Sequence, residues 1–545
     1  MIPRHTRRLA ALAILFFAAA CASSGSDEAG EAAVMSTNDT AGYIAPDPAF
    51  NTEEYAHVAE NGFRDARASP LSTFAIDVDR ASYANVRRFL ERGQMPPADA
   101  VRIEELINYF EYADPDPAGD APFAVRTEVA NAPWNPEHRL VRIGIQGRRM
   151  DVRDLPPSNL VFLVDVSGSM QDADKLPLVK AALARLVDEL REDDRVGIVV
   201  YAGAAGVVLE PTSSRREILD ALDELEAGGS TAGGEGIRLA YRLARDSFVR
   251  GGNNRVVLAT DGDFNVGVTS EGELVRLIEE EREHGIFLTV LGFGTGNLAD
   301  ARMEALAHRG NGNYAYVDSE DEAEKVLVRE MGGTLFTIAK DVKVQVEFNP
   351  AEVDSYRLIG YENRALAAED FNDDRKDAGE LGAGHTVTAL YEVVLAGSGG
   401  GVRPRVDPLR YQERRARNGA ESSGELMTVK LRYKEPDGEQ SRLMEHVVRD
   451  GGRRIDDASD DLRFAAAVAQ WGMLLRGSKH AGDASYESVV DLARGALGRD
   501  EHGDRAGFVR LVQSSRRLAS RGGGAEDRPA YAPALHDEPA HAGGH

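Results

Sequence analysis

From Asn159 to Met331 the chain repeats one unit, an apolar strand followed by an amphipathic helix, and this repetition constrains its fold more than any other feature. Leu160-Val-Phe-Leu-Val-Asp165 is an unbroken apolar run ending in a carboxylate. That is the pattern of a strand buried on both faces of a parallel sheet. Residues 175–190 follow with Leu176, Val179, Leu183, Leu186, Val187 and Leu190 at spacings of three and four, the period of one helical face. Segments 195–201, 255–260, 287–293 and 314–317 read as further strands, and 207–209 as a short edge strand. Helices are predicted at 216–225, 237–248, 271–284, 300–308 and 320–331. Strand and helix alternating over about 175 residues predict an α/β fold, a doubly wound parallel sheet.

A chain of 545 residues exceeds a single core, so further globular units are expected on either side. Upstream, Phe74-Ala-Ile-Asp-Val reads as a strand. Residues 81–92 and 101–110 read as helices, and 123–129 and 140–145 as strands separated by Pro133-Trp-Asn-Pro136. Downstream, 342–348, 385–394 and 427–434 alternate apolar and polar residues, as antiparallel strands do, and helices follow at 462–475 and 486–497. The alternating strands on both sides predict one antiparallel β-sandwich-like domain into which the α/β unit is inserted, plus C-terminal helices. The boundaries read as 1–20 signal peptide, 21–60 flexible tether, 61–157 N-terminal segment and 158–335 α/β domain. A β-rich domain with helices at 336–515 and a disordered tail at 516–545 complete the chain, and 397–424 reads as a mobile loop.

The first strand of the α/β unit runs into Asp165-Val-Ser167-Gly-Ser169. Three oxygen side chains at alternate positions of a strand-to-helix turn can converge above the carboxyl edge of the sheet, where ligands of such sheets bind. A glycine-flanked loop supplies Thr231, and Thr260-Asp261-Gly-Asp ends another strand at the same edge. The candidate metal ligands are therefore Asp165, Ser167, Ser169, Thr231 and Asp261. They offer oxygen only, without His or Cys, which suits Mg²⁺ (or Mn²⁺) and selects poorly for zinc. Three of the five ligands are neutral, and where one of the two aspartates coordinates only through water a divalent ion keeps net positive charge and favours an anionic oxygen from outside. The expected partner is a protein offering an Asp or Glu carboxylate.

These residues resemble the von Willebrand factor type A family, whose motif is Asp-x-Ser-x-Ser, then a distant Thr, then an Asp. The resemblance implies a Rossmann-like domain, a divalent ion in a metal-ion-dependent adhesion site, and a last helix near 320–331 that shifts when ligand binds. Pro70-Leu-Ser-Thr-Phe-Ala-Ile-Asp-Val-Asp, Ala132-Pro-Trp-Asn-Pro, Gly360-Tyr-Glu-Asn-Arg and Gly382-Ala-Gly-His-Thr-Val-Thr are similar to the flanking segments of bacterial YfbK-type lipoproteins. The likeness covers most of residues 50–512 and implies architecture more than purpose.

The N-terminus carries Arg4, Arg7 and Arg8, then an apolar stretch from Leu9 to Ala20, too short to span a bilayer and fitting a signal-peptide core. Ala18-Ala-Ala-Cys21 resembles a bacterial lipobox with Ala18 where Leu is usual, so Cys21, the chain's single cysteine, is the expected lipidation site. Ordinary cleavage after the alanines is the alternative. Ala22-Ser23 after the cysteine resembles outer-membrane sorting, which places the protein in the bacterial cell envelope, lipid-anchored and facing periplasm or surface. A net charge of −26 argues against nucleic acid as partner. No enzyme is expected. Asp77-Val-Asp79 follows a strand as a phosphatase nucleophile motif does, but Asp79 capping the next helix is the preferred reading. Metal-assisted hydrolysis at the adhesion site would need a base, and His284 and His308 fall near helix ends away from it. The other alternative is an envelope scaffold whose metal is structural.

Overall fold

The run Leu160–Val164 is fully buried because it lies in the middle of a sheet covered on both faces. In the computed structural model the described residues are 53, 55–229, 233–262, 271–295, 298–398, 424–436 and 438–522. The signal segment, Cys21, most of the tether, Thr231, most of the loop at 397–424 and the tail beyond Gly522 lie outside them.

Strands β1 (Arg64–Asp65) and β2 (Leu71–Ala75), helices α1 (Ala81–Glu91) and α2 (Ile103–Asn108), and the hairpin of β3 (Phe123–Ala132) and β4 (Asn135–Gly147) come first. The α/β unit follows: β5 (Ser158–Asp165), α3 (Leu176–Glu189), β6 (Arg195–Tyr201), β7 (Ala205–Thr212), α4 (Arg215–Asp223) and α5 (Gly233–Asp246). It continues through β8 (Asn253–Thr260), α6 (Glu271–Glu283), β9 (Ile286–Phe293), α7 (Asp300–Arg309), β10 (Tyr314–Val317), α8 (Glu320–Glu324) and α9 (Met331–Leu335). Strands β11 (Thr337–Phe348), β12 (Val353–Ile359), β13 (Ala365–Leu366), β14 (Gly379–Gly382), β15 (Thr386–Leu395), β16 (Glu425–Lys434) and β17 (Arg442–Arg449) come next. Helices α10 (Asp460–Arg476), α11 (Tyr486–Arg494) and α12 (Asp504–Gly522) close the described chain.

The α/β sheet has the order β10-β9-β8-β5-β6-β7, parallel except for β7. Leu160, Phe162 and Val164 pack with α3 and α4 on one face. Val161 and Leu163 pack with α5, α6 and α7 on the other, where Ala81 and Ala84 of α1 join them. Neighbours of β5 are the next strand in sequence on one side and β8 on the other, so the strand order reverses between β5 and β8. Ligands of doubly wound sheets bind at such a reversal.

The predicted sandwich is present, and both of its sheets mix strands from either side of the insert. One has the order β1-β12-β15-β4-β3 and the other β13-β2-β11-β16-β17, with β14 on β11. Alternation decides the layers. Val141, Ile143, Val387 and Tyr391 face Val344, Val346 and Val429 between the sheets. Leu140, Leu390 and Ile359 point outward into a third layer built by α2, α10, α11 and α12, with Trp134 and Trp471 at its centre.

Some boundaries differ from the sequence reading. Glu53 and Tyr55, assigned to the tether, bind Arg88 of α1 through its guanidinium, so order begins before residue 60. Helix α12 continues through 516–522, residues assigned to the tail. The helix predicted at 320–331 is broken: a π-turn, Lys325–Arg329, separates α8 from α9. Arg80 pairs with Glu330, and Lys325 and Arg329 both reach Asp504 of α12. Contacts outside the α/β unit thus hold that segment where helical periodicity alone predicts a straight run.

Candidate functional site

Asp165 ends β5 with no exposed surface. Its Oδ1 accepts the backbone N–H of Ser167 at 2.9 Å, which closes the turn, and its Oδ2 accepts the Thr260 hydroxyl at 3.3 Å from the end of β8. Ser167 Oγ and Ser169 Oγ lie 3.0 Å apart. Ser167 is buried and Ser169 exposed, so the turn offers one carboxylate and two hydroxyls graded from core to solvent.

The second loop is tied to this turn by its backbone. Gly228 N–H donates to Val166 C=O at 2.7 Å, and Gly168 N–H donates to Gly229 C=O at 3.0 Å. Gly229 adopts φ +91, a left-handed conformation that a residue with Cβ adopts only under strain. Thr231 lies outside the described residues; the loop that carries it is anchored to the turn at Gly228 and Gly229.

Asp261 follows β8, also with no exposed surface. The pairing of β5 with β8 brings it beside Asp165. Burial pushes the Asp165 carboxyl above its usual range and the Asp261 charge adds to this, while hydrogen bonds from Ser167 and Tyr201 oppose it. The structure therefore brings Asp165, Ser167, Ser169 and Asp261 to one edge at the strand reversal.

One participant was not singled out from the sequence. Lys175 Nζ donates to Asp261 Oδ2 at 2.9 Å, with the lysine only 5% exposed. Its methylene stem lies against Gly294 (φ +71), where a Cβ would collide with it. In the sequence Lys175 is merely the charged residue heading an amphipathic helix. The cleft that receives it belongs to the loop after β9.

The chemistry of the donor set fits a cation. Two buried carboxylates face each other, and a tethered ammonium already neutralises one. Asp165 is held by amide and hydroxyl donors rather than by a cation, among the described residues. Burying unpaired negative charge is costly, and a hard divalent ion bound by Asp165, Ser167 and Ser169 would relieve it.

Asp77 and Asp79 take a different role from either sequence reading. The cap position of α1 is Arg80, without a side-chain cap, so Asp79 does not cap it. Instead Asp79 Oδ1 accepts the Tyr314 backbone N–H at 3.0 Å. Arg364 Nε reaches Asp77 at 2.9 Å, and its Nη2 reaches Asp79 at 3.2 Å and Glu304 at 2.8 Å. Burial opposes ionisation of Asp77, but the Arg364 guanidinium outweighs it and holds the carboxyl below its usual range. Three segments that are distant in sequence meet at this buried guanidinium. A cation is already supplied there, which makes the cluster a structural junction.

Comparison with known proteins is consistent along the chain. The family model "von Willebrand factor type A domain" matches residues 159–329, "von Willebrand factor" matches 49–142, and "Uncharacterized protein YfbK, C-terminal" matches 333–518. Uncharacterized protein YfbK of Escherichia coli K12 is 44% identical over 472 residues, covering 85% of this chain and 81% of that protein. Uncharacterized protein sll0103 of Synechocystis is 32% identical over 199 residues, 36% of this chain and 45% of that one. Among solved structures, the conserved hypothetical protein BatB of Bacteroides thetaiotaomicron is 27% identical at TM-score 0.28, over 32% of this chain and 97% of that one. A von Willebrand factor type A protein of Catenulispora acidiphila is 17% identical at TM-score 0.38, covering 72% and 89%.

Proposed function

The chain belongs to the YfbK family of von Willebrand factor type A proteins, and from that premise we propose that it is a metal-dependent protein-binding lipoprotein of the bacterial cell envelope. The observation that carries this reading is the set of oxygen ligands gathered where the strand order reverses, where Asp165 and Asp261 are buried and Ser169 faces solvent. Asp165, Ser167 and Ser169 would hold Mg²⁺ or Mn²⁺, with Thr231 and Asp261 completing the set directly or through water. The ion supplies a positive centre open to an external carboxylate. A partner protein bearing an Asp or Glu side chain is its match, approaching from the Ser169 side. Lipidation at Cys21 would anchor the chain to the membrane, with the outer membrane as the expected location.

Immobilised full-length chain is expected to capture an envelope protein in magnesium and to release it in EDTA. Asp165→Ala should abolish the capture while the melting temperature stays close to that of the parent. Undiminished magnesium-dependent capture by that variant would sink the proposal. The scaffold reading, in which the ion serves only the fold, draws on the complete burial of Asp165 and Asp261. It predicts the reverse: EDTA lowers the melting temperature and capture survives. For the anchor, Cys21→Ser should abolish incorporation of labelled fatty acid.

A further inference from the structure

At the edge of the α/β sheet opposite Asp165, Asp341, Asp377 and Glu380 each bring a carboxylate oxygen to within 4.8 Å of the others. Asp341 sits in β11 at a bulge, where the pairing with β16 slips between Lys340 and Lys343. Asp377 and Glu380 flank the entry into β14, which pairs with β11. The α/β unit reaches the same place through Arg282, in the last turn of α6, which donates to Asp377 Oδ2 at 2.9 Å.

Peripheral donors orient two of the three carboxylates. Lys434 Nζ holds Asp341 Oδ2 at 2.7 Å and the Ala378 backbone N–H holds its Oδ1 at 3.2 Å. Lys343 is turned away, to the Asp370 and Asp373 carbonyls. Glu380 is different. It is 7% exposed, and its Oε2 is buried without a hydrogen-bond partner. A buried carboxylate oxygen left without a donor is costly. In the cluster of Asp77, Asp79 and Glu304 one guanidinium pairs with all three carboxylates; here Lys434 and Arg282 each hold one carboxylate, and the buried Arg255 acts on Glu380 through its charge.

We propose that Asp341, Asp377 and Glu380 form a second divalent-cation site, for an ion of the calcium class, that braces the α/β unit onto the sandwich. Three carboxylates supply hard oxygen ligands, and oxygens no more than 4.8 Å apart are close enough to share one ion at calcium–oxygen distances of roughly 2.4 Å. Lys434 and Arg282 act outside the ligands and hold them in orientation. The site is independent of the Asp165 crevice and lies at the other end of the sheet.

The test is calcium titration calorimetry with melting curves on the full chain carrying Asp165→Ala. One Ca²⁺ per chain should bind and raise the melting temperature. Adding Asp341→Asn and Glu380→Gln should remove both effects; Asn tolerates the φ of +54 found at 341, and Gln keeps the volume of Glu. Asp377→Asn, at a part-exposed position, should weaken binding by at least about tenfold, the 1.4 kcal/mol equivalent of losing one charged ligand. A folded Asp165→Ala chain that binds no calcium overturns the proposal whatever the other variants do, as does unchanged stoichiometry in the Asp341→Asn, Glu380→Gln chain. Failure of the adhesion reading is a separate result, since it is read from the Asp165→Ala capture experiment in magnesium.

Discussion

Lys175 shows how one side chain sets the character of a site. Its ammonium is bonded to a carboxylate that a divalent ion would otherwise claim. Removing it takes a buried cation away from Asp261, which stays buried beside Asp165. Breaking a buried pair in this way costs about 3–5 kcal/mol. Lys175→Met should therefore melt well below the parent without metal, and added Mg²⁺ should raise its melting temperature more than it raises the parent's. Equal magnesium shifts in the two proteins would show that the lysine and the ion do not share Asp261. The Asp-x-Ser-x-Ser turn was legible in the sequence because its three oxygens are local and strand-to-helix geometry brings them together. Lys175 was not, because its burial depends on Gly294 in a loop more than a hundred residues away.

At the scale of elements, the junctions carry the information that local patterns lack. Arg364, just before β13, binds Asp77 and Asp79 after β2 and Glu304 in α7. Arg102 adds a second buried guanidinium, pairing with Glu105 in α2 and with Asp300 and Glu304 in α7. Arg364→Met should destabilise the chain by about 3–5 kcal/mol in urea unfolding, because three buried carboxylates lose their shared cation. A loss below about 1 kcal/mol, the scale of a surface pair, would mean the network is solvated and does not clamp the layers. The helices were legible as amphipathic runs, and so was the closing helix as a helix. Its π-turn was not, because Arg80 and Asp504 hold it from the far ends of the chain.

For the whole molecule, the buried ionisable groups set opposing pH limits. His308, at the end of α7, is pushed down to about 4 by burial and by Arg364. A folded pKa below the unfolded value of about 6.5 gives stability that is present above pH 6.5 and lost as pH falls toward 4, up to about 3 kcal/mol. Glu104 is pushed up to about 8 by burial and by the Glu362 and Glu105 carboxylates. Its folded pKa exceeds the unfolded value of about 4.5, so its contribution is present below pH 4.5 and is lost as pH rises toward 8. His308→Gln should flatten the acid limb of the stability–pH curve between pH 6.5 and 4, and Glu104→Gln the limb between 4.5 and 8, as measured by urea midpoints at each pH. An acid limb unchanged in His308→Gln would assign that slope to other groups.

The sequence by itself determined the doubly wound unit, the antiparallel character of the flanks and the turn that carries Asp165, Ser167 and Ser169. These follow from periodicity and short spacing, which burial on one or two faces imprints directly on neighbouring residues. Only the tertiary structure decided how the strands before and after the insert share two sheets, which cation meets Asp261, and why Asp79 binds Arg364 instead of capping a helix. Those outcomes rest on pairings between residues up to hundreds of positions apart. The apolar core closed between the two sheets selects the strand pairings, and the charge pairings follow because a charge buried once the layers have closed needs a partner.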